Sequence, residues 1–328
     1  MIFQCKNCGG NVIYSPERKG MYCPYCDSEK SEQRKDSEGD IHICPNCGGE
    51  VPVGEYTSAT KCPYCDNYII LNERIEGVNA PQMIIPFQHS KEMVKKLMRE
   101  KFKKCTFAPT DFLSEAKLNT MEGDYVPFWL YDYDVNYEYR AEGRKIRVWV
   151  SGDTEYTETS IYDVYRDVDV KFSRIPADAS VKMPDEVMDL MEPYNYEQME
   201  PFKPEYMSGF MGEKFSVVPK DAEVRTRKKM EEDTSALVRQ TVTGYGSLSE
   251  RERHLSVNDQ KVNMGLLPVW KYGYSYKNQE YPFYINGQTA KIVGKVPVSA
   301  KKVWAYGATL WAVLTVILIC GYYGIMML

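Results

Sequence analysis

The sequence lacks the motifs that mark several common enzyme classes. It has no GxxxxGK[ST] loop, which excludes an ATPase or helicase built on that phosphate-binding loop, and it has neither a GxSxG nucleophile turn nor an HExxH metal pair. Its only three histidines, His42, His89 and His254, are far apart, which is more typical of surface or capping positions than of a catalytic base. Cys105, in a KKCTF context, is interpreted as a packed or exposed thiol rather than a nucleophile. These absences predict a protein that is not an enzyme.

Two further absences concern compartment and partners. No apolar run follows the opening residues MIFQCKNCGG, so no secretory signal is predicted. The net charge is −5, from 41 basic and 46 acidic residues, so the chain as a whole has no positive charge to attract nucleic acid or anionic lipid. In a reducing cytoplasm, the ten cysteines indicate metal binding rather than disulfides.

The last 26 residues, 303–328, contain no charged side chain. A helix of that length reaches about 39 Å, which is enough to cross a hydrocarbon core of about 30 Å. Soluble helices rarely stay apolar on every face for so long, so a transmembrane helix is favoured over a buried one. Lys301 and Lys302 precede this span, and the positive-inside tendency therefore predicts a tail-anchored, single-pass protein of the cell membrane with residues 1–302 in the cytoplasm.

Eight of the ten cysteines form a tandem pattern in which each cysteine of the first set recurs 39 residues later. The flanking residues repeat as well, since both first pairs end in NCGG and both second pairs lie in CPYCD. This is the signature of an internal duplication of one small unit. The two sets are Cys5, Cys8, Cys23 and Cys26, and Cys44, Cys47, Cys62 and Cys65.

The spacing within each set suits a four-thiolate metal site. A C-x2-C turn aims two thiolates at one ion about 2.3 Å away, and two such turns complete a closed, tetrahedral, structural zinc site. Glycines after the first turn allow φ > 0, and the turn can aim backbone N–H groups at sulfur. Because each unit has little to bury, metal would supply most of its folding free energy, about 10–16 kcal/mol in small zinc peptides.

The prediction is therefore two Zn²⁺ ions in two small β-rich zinc ribbons, residues 1–30 and 41–76, each closed by its own four cysteines. A rubredoxin-like iron centre, disulfides, and pairing interleaved between the units are the alternatives. A filled four-thiolate site has no open position for water or substrate, which argues against zinc catalysis.

Charge in the ribbon region bears on its partners. Residues 1–80 hold 8 basic and 12 acidic side chains, whereas phosphate contact needs clustered lysine and arginine. A protein-binding or structural ribbon is favoured over a nucleic-acid clamp. The polar segment 27–40 between the units is predicted to be a solvated linker that joins them flexibly.

Residues 81–300 are predicted to form an α+β body with an antiparallel sheet. Ser90 is a suitable cap for a helix to about residue 104, and helices are also expected at 184–192, 204–212 and 219–242. Strands rich in aromatic and β-branched residues are expected between 125 and 172, split by Gly143 and Gly152, and again at 252–262, 266–276, 281–285 and 291–296. Asn286-Gly287 is a strong hairpin signal.

Several motifs resemble the YdjG-like family of bacterial TFIIB-type zinc-ribbon membrane proteins. They are the CPYCD turns, YVPFWLY at 125–131, EPY at 192–194, LLPVW at 266–270, and NGQT followed by GKVP at 286–289 and 294–297, just before the apolar tail. Relatives usually have glycine after NGQT, where this chain has Ala290. The resemblance implies an association with phage-shock-type envelope-stress systems, including PspA-like and membrane-scaffold proteins. The helicase-like label of some relatives does not transfer, since the phosphate loop is missing.

Taken together, the sequence predicts a membrane-anchored adaptor or scaffold. Two zinc ribbons present a protein-docking surface, and the α+β body, residues 81–300, supports them at the bilayer on the helix at 303–328. Two alternatives stay open: nucleic-acid binding by the ribbons, and an enzyme or redox protein that uses iron.

Overall fold

The computed structural model describes residues 1–34, 42–77 and 80–326. Its helices are α1 Lys91–Phe102, α2 Glu115–Leu118, α3 Asp185–Met191, α4 Pro219–Thr241 and α5 Ala300–Met326. Its strands are β1 Ile2–Cys5, β2 Ile13–Ser15, β3 Gly20–Tyr22, β4 Ser31–Arg34, β5 Thr57–Lys61, β6 Tyr68–Ile70, β7 Met83–Ile84, β8 Glu122–Ser151, β9 Thr154–Asp178, β10 Glu200–Pro201, β11 Met211–Glu213, β12 Ser247–Tyr276, β13 Gln279–Asn286 and β14 Ile292–Gly294.

Three long antiparallel strands, β8, β9 and β12, organise the body. β8 pairs with β9 from Ser151 back to Phe128, and with β12 from Arg144 back to Glu122. At about 3.3 Å per residue, β8 spans about 100 Å. The outer part of these strands, residues 132–171 together with 247–261, extends away from the body and is called the arm below.

The expectation that glycine divides this region into several short strands was wrong at Gly143. This residue lies inside β8, where it pairs with Tyr162 of β9 and Leu248 of β12. Glycine is favoured there because the ring of Tyr245 lies 2.6 Å from an ideal Cβ position. Gly152 does end the strand, with φ +61° in the turn between β8 and β9. The segments predicted at 252–262 and 266–276 are likewise one continuous strand, β12.

Helix α4 covers one face of the arm. Alternate residues of β8, including Tyr133, Tyr137 and Tyr139, are buried on this side, whereas the residues between them face away. Val238 of α4 packs in the cluster that contains Tyr137 and Tyr139, and the Tyr133 hydroxyl lies 2.7 Å from Thr226 Oγ1 of α4. The arm is therefore a two-layer structure with one open sheet face.

Near the base of the arm, an aromatic core joins α1 to the sheet. Phe87 stacks on Phe210 with ring centroids 4.1 Å apart, and Phe102 of α1 packs edge-on against Phe112 and Phe283. Ser90 caps α1, as its position predicts, since its hydroxyl accepts a hydrogen bond from Met93 N at 3.4 Å.

The turn after β13 forms at the predicted Asn286-Gly287 signal. The Asn286 side-chain oxygen accepts hydrogen bonds from the N–H groups of Gln288 and Thr289, each at 2.9 Å. Ala290 adopts φ +59°, a left-handed conformation that glycine tolerates better. Ala290 thus occupies a backbone position that favours glycine.

Two other local predictions differ from the structure. The helix expected at 204–212 is a short 3-10 helix, Pro204–Met207, followed by β11, because β11 pairs with both β5 and β8. Ser31–Arg34, expected in a solvated linker, pairs with β1 as β4. Residues 35–40 of that linker and residue 41 of the expected second ribbon lie outside the described residues, as do 78–79 just before the expected body and 327–328 at the end of the expected membrane helix.

One C-terminal helix, α5, is long and apolar enough to span a membrane over Ala300–Tyr322. Its base is fixed to the body, since Ser299 N donates to Phe107 O at 2.7 Å and the ring of Phe107 packs edge-on against Tyr306. Beyond this contact, as far as Tyr322, its large apolar side chains are exposed, with Trp304 and Trp311 both more than 70 % accessible. This exposure is unlike that of a buried core helix.

Candidate metal centres

The structure brings the eight predicted cysteines together as two separate groups of four. In each group all four Sγ atoms lie within 4.8 Å of one another. In the first group, Cys5 and Cys26 have Sγ atoms 3.6 Å apart, and Cys8 and Cys23 have theirs 3.5 Å apart. The corresponding distances in the second group, Cys44 to Cys65 and Cys47 to Cys62, are 3.6 and 3.7 Å.

These distances fit a tetrahedral ion and not a disulfide. A metal held by four thiolates at about 2.3 Å places the sulfurs about 3.8 Å from one another, whereas a disulfide bond is about 2.05 Å long. The four cysteines of each group come from one repeat, so the local pairing is observed and the interleaved one is not. The two four-cysteine sites are compatible with two metal ions.

Each cysteine pair is held by a backbone turn that is the same in both repeats. In the first turns, Gly9 N donates to Cys5 O and Gly48 N donates to Cys44 O, both at 2.9 Å. Both glycines have positive φ, +76° and +72°, which is the conformation predicted from the sequence. In the second turns, the N–H groups of Asp27 and Asp66 donate to Cys23 O and Cys62 O, and both aspartates also have positive φ.

The second glycine of each GG pair has a different function. An ideal Cβ at Gly10 would lie 2.6 Å from the ring of Tyr25, and one at Gly49 would lie 2.5 Å from the ring of Tyr64. The tyrosine of each CPYC turn therefore lies over the glycine of the opposite turn and joins the two halves of the site. The outer faces of the rings stay accessible, with Tyr25 and Tyr64 75 % and 70 % exposed.

Asn7 and Asn46 support the thiolates and were not singled out from the sequence as functional. Asn7 Nδ2 donates to Cys26 Sγ at 3.5 Å, and Asn7 N donates to Cys5 Sγ at 3.4 Å. The Asn7 amide is the largest of the effects that lower the pKa of Cys26. For Cys65, burial raises the pKa, but donors from Asn67 and Asn46 outweigh it and lower the pKa to about 7. The sequence signal that could have identified these two asparagines is that each stands in an NCGG motif, one in each repeat.

Replacing Asn46 by alanine should weaken metal retention in the second group. The variant loses a side-chain donor that stabilises the Cys65 thiolate, and loss of such a supporting contact typically costs about 10–100-fold in metal affinity. Competition with a chromophoric chelator measures the effect. Asn67→Ala keeps the backbone N–H that donates to Cys65, so it should have a much smaller effect. Asn72→Ala, outside both groups, should leave the affinity unchanged.

The other candidate residues are not brought to these centres. Among the described residues, the two cysteine groups are the only clusters of histidine, cysteine or carboxylate side chains with ligand atoms this close. His42 lies 3.9 Å from Glu73, and Cys105 is exposed. Neither Cys105 nor Cys320 joins a cysteine group.

The two four-cysteine modules, residues 1–30 and 42–76, are called the first and second ribbon below. They are packed on each other and on the body, contrary to the expectation of flexible joining. Ile2 of the first ribbon lies in one hydrophobic cluster with Val51, Ile69 and Leu71 of the second. The second ribbon extends the central sheet, because β5 pairs with β11. The first is held to the body where Tyr14 N donates to Ser208 O at 2.8 Å. Packing and backbone hydrogen bonds therefore connect both cysteine sites to the body.

Fold and site together define a sheet-rich protein with two N-terminal four-cysteine modules and a C-terminal apolar helix. No protein-family model matches the chain, and no solved structure matches it. It is 36 % identical over 334 residues to a Bacillus subtilis (strain 168) protein named "Uncharacterized protein YdjG", and the alignment covers 97 % of this chain and 98 % of that protein. The chain therefore belongs to the YdjG family.

Proposed function

We propose that this protein is a membrane-anchored adaptor that binds protein partners through two zinc ribbons. The observation that carries the proposal is the pair of closed four-cysteine sites, each of which displays one exposed tyrosine on its CPYC turn. A closed site has no place for a reacting water, so its role is to hold a shape. Exposed tyrosine is a residue that protein interfaces favour.

The proposal assigns zinc to both sites. Four thiolates at tetrahedral spacing suit zinc, and they also suit iron, so the choice follows from the frequency of structural zinc in such sites. Metal analysis of the purified protein tests this assignment. Two equivalents of colourless zinc support it, whereas iron with visible absorption supports the redox alternative.

The proposal also places α5 across the membrane with the body on the cytoplasmic side. Lys301 and Lys302 at the start of the helix favour that orientation. The full-length protein should stay with membranes after a carbonate wash, and a variant that ends at residue 299 should be released. External protease should not cut the body in intact cells. Release of the full-length protein by carbonate, or cutting from outside, would contradict this placement.

Partner binding is tested with substitutions that leave all eight cysteines in place. Tyr25→Ser combined with Tyr64→Ser should remove ribbon-dependent partners from the full-length protein purified in mild detergent, because both exposed rings are lost. Val224→Ser combined with Leu237→Ser changes two exposed apolar residues of α4 and serves as the matched control. Metal content is measured in both variants. Unchanged partners in a tyrosine variant with two bound ions would refute docking through these turns. The envelope-stress role implied by the resemblance stays a prediction.

A further inference from the structure

The arm has one face that no other part of the described chain covers. Helix α4 packs against the side that carries Tyr137 and Tyr139, and the opposite side carries Asn136, Glu138 and Arg140. Glu138 and Arg140 are exposed, in strict alternation with their buried neighbours. This side of β8, together with the same side of β9 and β12, is called the open face below.

The open face is acidic, and most of its cations pair with its own carboxylates. Arg140 is the exception: it lies opposite Glu252 and packs over the ring of Tyr165. Arg144 and Arg251 both pair with Glu142, and Lys171 pairs with Asp134. Five exposed carboxylates on this face form no ion pair with any described residue. They are Glu138, Asp163, Asp167, Asp169 and Glu252.

Carboxylates of the open face, with or without an ion pair, also lie opposite one another across the strands. Glu138 is directly opposite Asp167, Glu142 is opposite Asp163, and Asp134 is opposite Asp259. Like charges in directly opposed positions destabilise a sheet. Two of these pairs are partly compensated, because Glu142, Asp134 and Asp259 each form an ion pair. Glu138 and Asp167 have no such cation among the described residues, so at this pair the local rule is broken without a structural gain. Such exceptions are expected at binding sites.

The same face becomes apolar at the tip of the arm. β12 begins at Ser247, opposite Arg144, so beyond this pair the arm has only the two strands of the β8–β9 hairpin. Ile146, Val148 and Val150 follow one another along the open face and are each more than half exposed. Ile161, opposite Arg144, extends this apolar stripe, and its side chain is also more than half exposed.

We propose that the open face is a docking surface for a basic, amphipathic segment of a partner protein. Lysine and arginine of the partner would lie over the acidic middle of the arm, and apolar residues at one end would cover Ile146, Val148 and Val150. Complementary charge gives such contacts their specificity and their association rate. The same charge repels phosphate, so this face does not suit an anionic lipid surface or a nucleic acid. The site is independent of the ribbons.

The binding test uses the full-length protein in nanodiscs of neutral lipid and a fluorescent probe peptide. The probe is a lysine–leucine helix of about 18 residues, or five turns. A lysine–serine peptide of equal charge and a glutamate–leucine peptide are the reference probes. The lysine–leucine peptide should bind best, and its affinity should fall when salt is raised from about 50 to about 500 mM.

Two variants locate the site. Glu138→Gln, Asp163→Asn and Asp167→Asn together should weaken binding of the lysine–leucine peptide about 10-fold or more, as expected for loss of several complementary charges. The matched control, Glu231→Gln, Glu232→Gln and Asp233→Asn on the outer side of α4, makes the same change in net charge and should have less than about a 2-fold effect. Ile146→Thr, Val148→Thr and Val150→Thr should remove the preference for leucine over serine.

Thermal unfolding separates binding from folding. The open-face variant should unfold at a higher temperature than the native chain, because two like-charged pairs are relieved. Equal weakening by both charge variants, or equal binding of all three peptides, would overturn the proposal. Self-association that the open-face variant abolishes would also overturn it, since the occupant would then be a second copy of this chain.

Discussion

Replacing Cys62 by serine should release one metal ion and unfold the second ribbon. Serine is a poor ligand for a four-thiolate site, and a metal ion contributes about 10–16 kcal/mol to the folding of small zinc modules. The apolar cluster beside the site is small, with few residues besides Val51, Ile69 and Leu71, so the metal is the main link between the two cysteine turns. Elemental analysis should therefore fall from two equivalents to about one.

Cys62→Ser should disturb more of the protein than Cys23→Ser, the equivalent substitution in the first ribbon. The second ribbon contributes β5 to the central sheet and also holds the first ribbon through Ile2. The Ile70 N–H, which donates to Met1 O at 2.9 Å, reports on the contact between the ribbons. Its hydrogen exchange should become fast in Cys62→Ser, and the exchange of the Gly212 amide in β11 should also rise.

Cys105→Ser is the control for this experiment, because Cys105 is exposed and belongs to neither cysteine group. It should keep two equivalents of metal and the native exchange pattern. The amides of β8 under α4 should stay protected in every variant, since that part of the core does not touch the ribbons. Two equivalents and native exchange in Cys62→Ser would show that the ribbon does not depend on its metal.

The ribbon sites could be predicted from sequence because their constraints are local. Four cysteines in two C-x2-C turns specify a tetrahedral site over fewer than 40 residues, and the 39-residue repeat identified both sites at once. The function of Gly9 followed from the need for positive φ. The function of Gly10 did not, because it depends on Tyr25, which approaches from the other turn.

The arm and the packing of the ribbons could not be predicted, because both depend on distant contacts. Gly143 resembled a strand end, but it pairs with β9 and β12, and the ring of Tyr245, far later in the chain, occupies the space beside it. The linker composition suggested flexibility, but Ile2 is buried against the second ribbon and Tyr14 is bonded to Ser208. Local composition carries no information about such pairings.

A cluster of buried charges lies in the body beside β11, the strand that pairs with β5 of the second ribbon, and no signal in the sequence indicated it. Lys271 Nζ on β12 lies 2.5 Å from Asp124 Oδ2 on β8 and 3.0 Å from Glu213 Oε1 on β11. Ser180 Oγ donates to the other oxygen of Glu213 at 2.5 Å. Both carboxylates are less than 10 % exposed, so Lys271 is the cation that keeps them in the interior.

Replacing Lys271 by methionine should therefore be strongly destabilising at alkaline pH. Methionine fills a similar volume but leaves two carboxylates uncompensated, and breaking a buried pair in this way costs about 3–5 kcal/mol. The loss should be measured by denaturant unfolding of the detergent-solubilised protein at pH 8, followed by tryptophan fluorescence. Lys171→Met is the matched control, because Lys171 pairs with Asp134 on an exposed surface and its loss should cost less than about 1 kcal/mol.

The pH dependence of this loss identifies its electrostatic origin. Burial raises the pKa of Asp124 to about 7 even with Lys271 beside it, whereas the pKa of Glu213 is lowered because Lys271 and Ser180 outweigh its burial. Without Lys271 both pKa values should rise. The folded variant then binds more protons than the unfolded chain above about pH 4, so its stability falls as pH increases. The destabilisation relative to the native chain should thus be much smaller at pH 5 than at pH 8. An equal loss at both pH values would mean that Lys271 acts through packing alone.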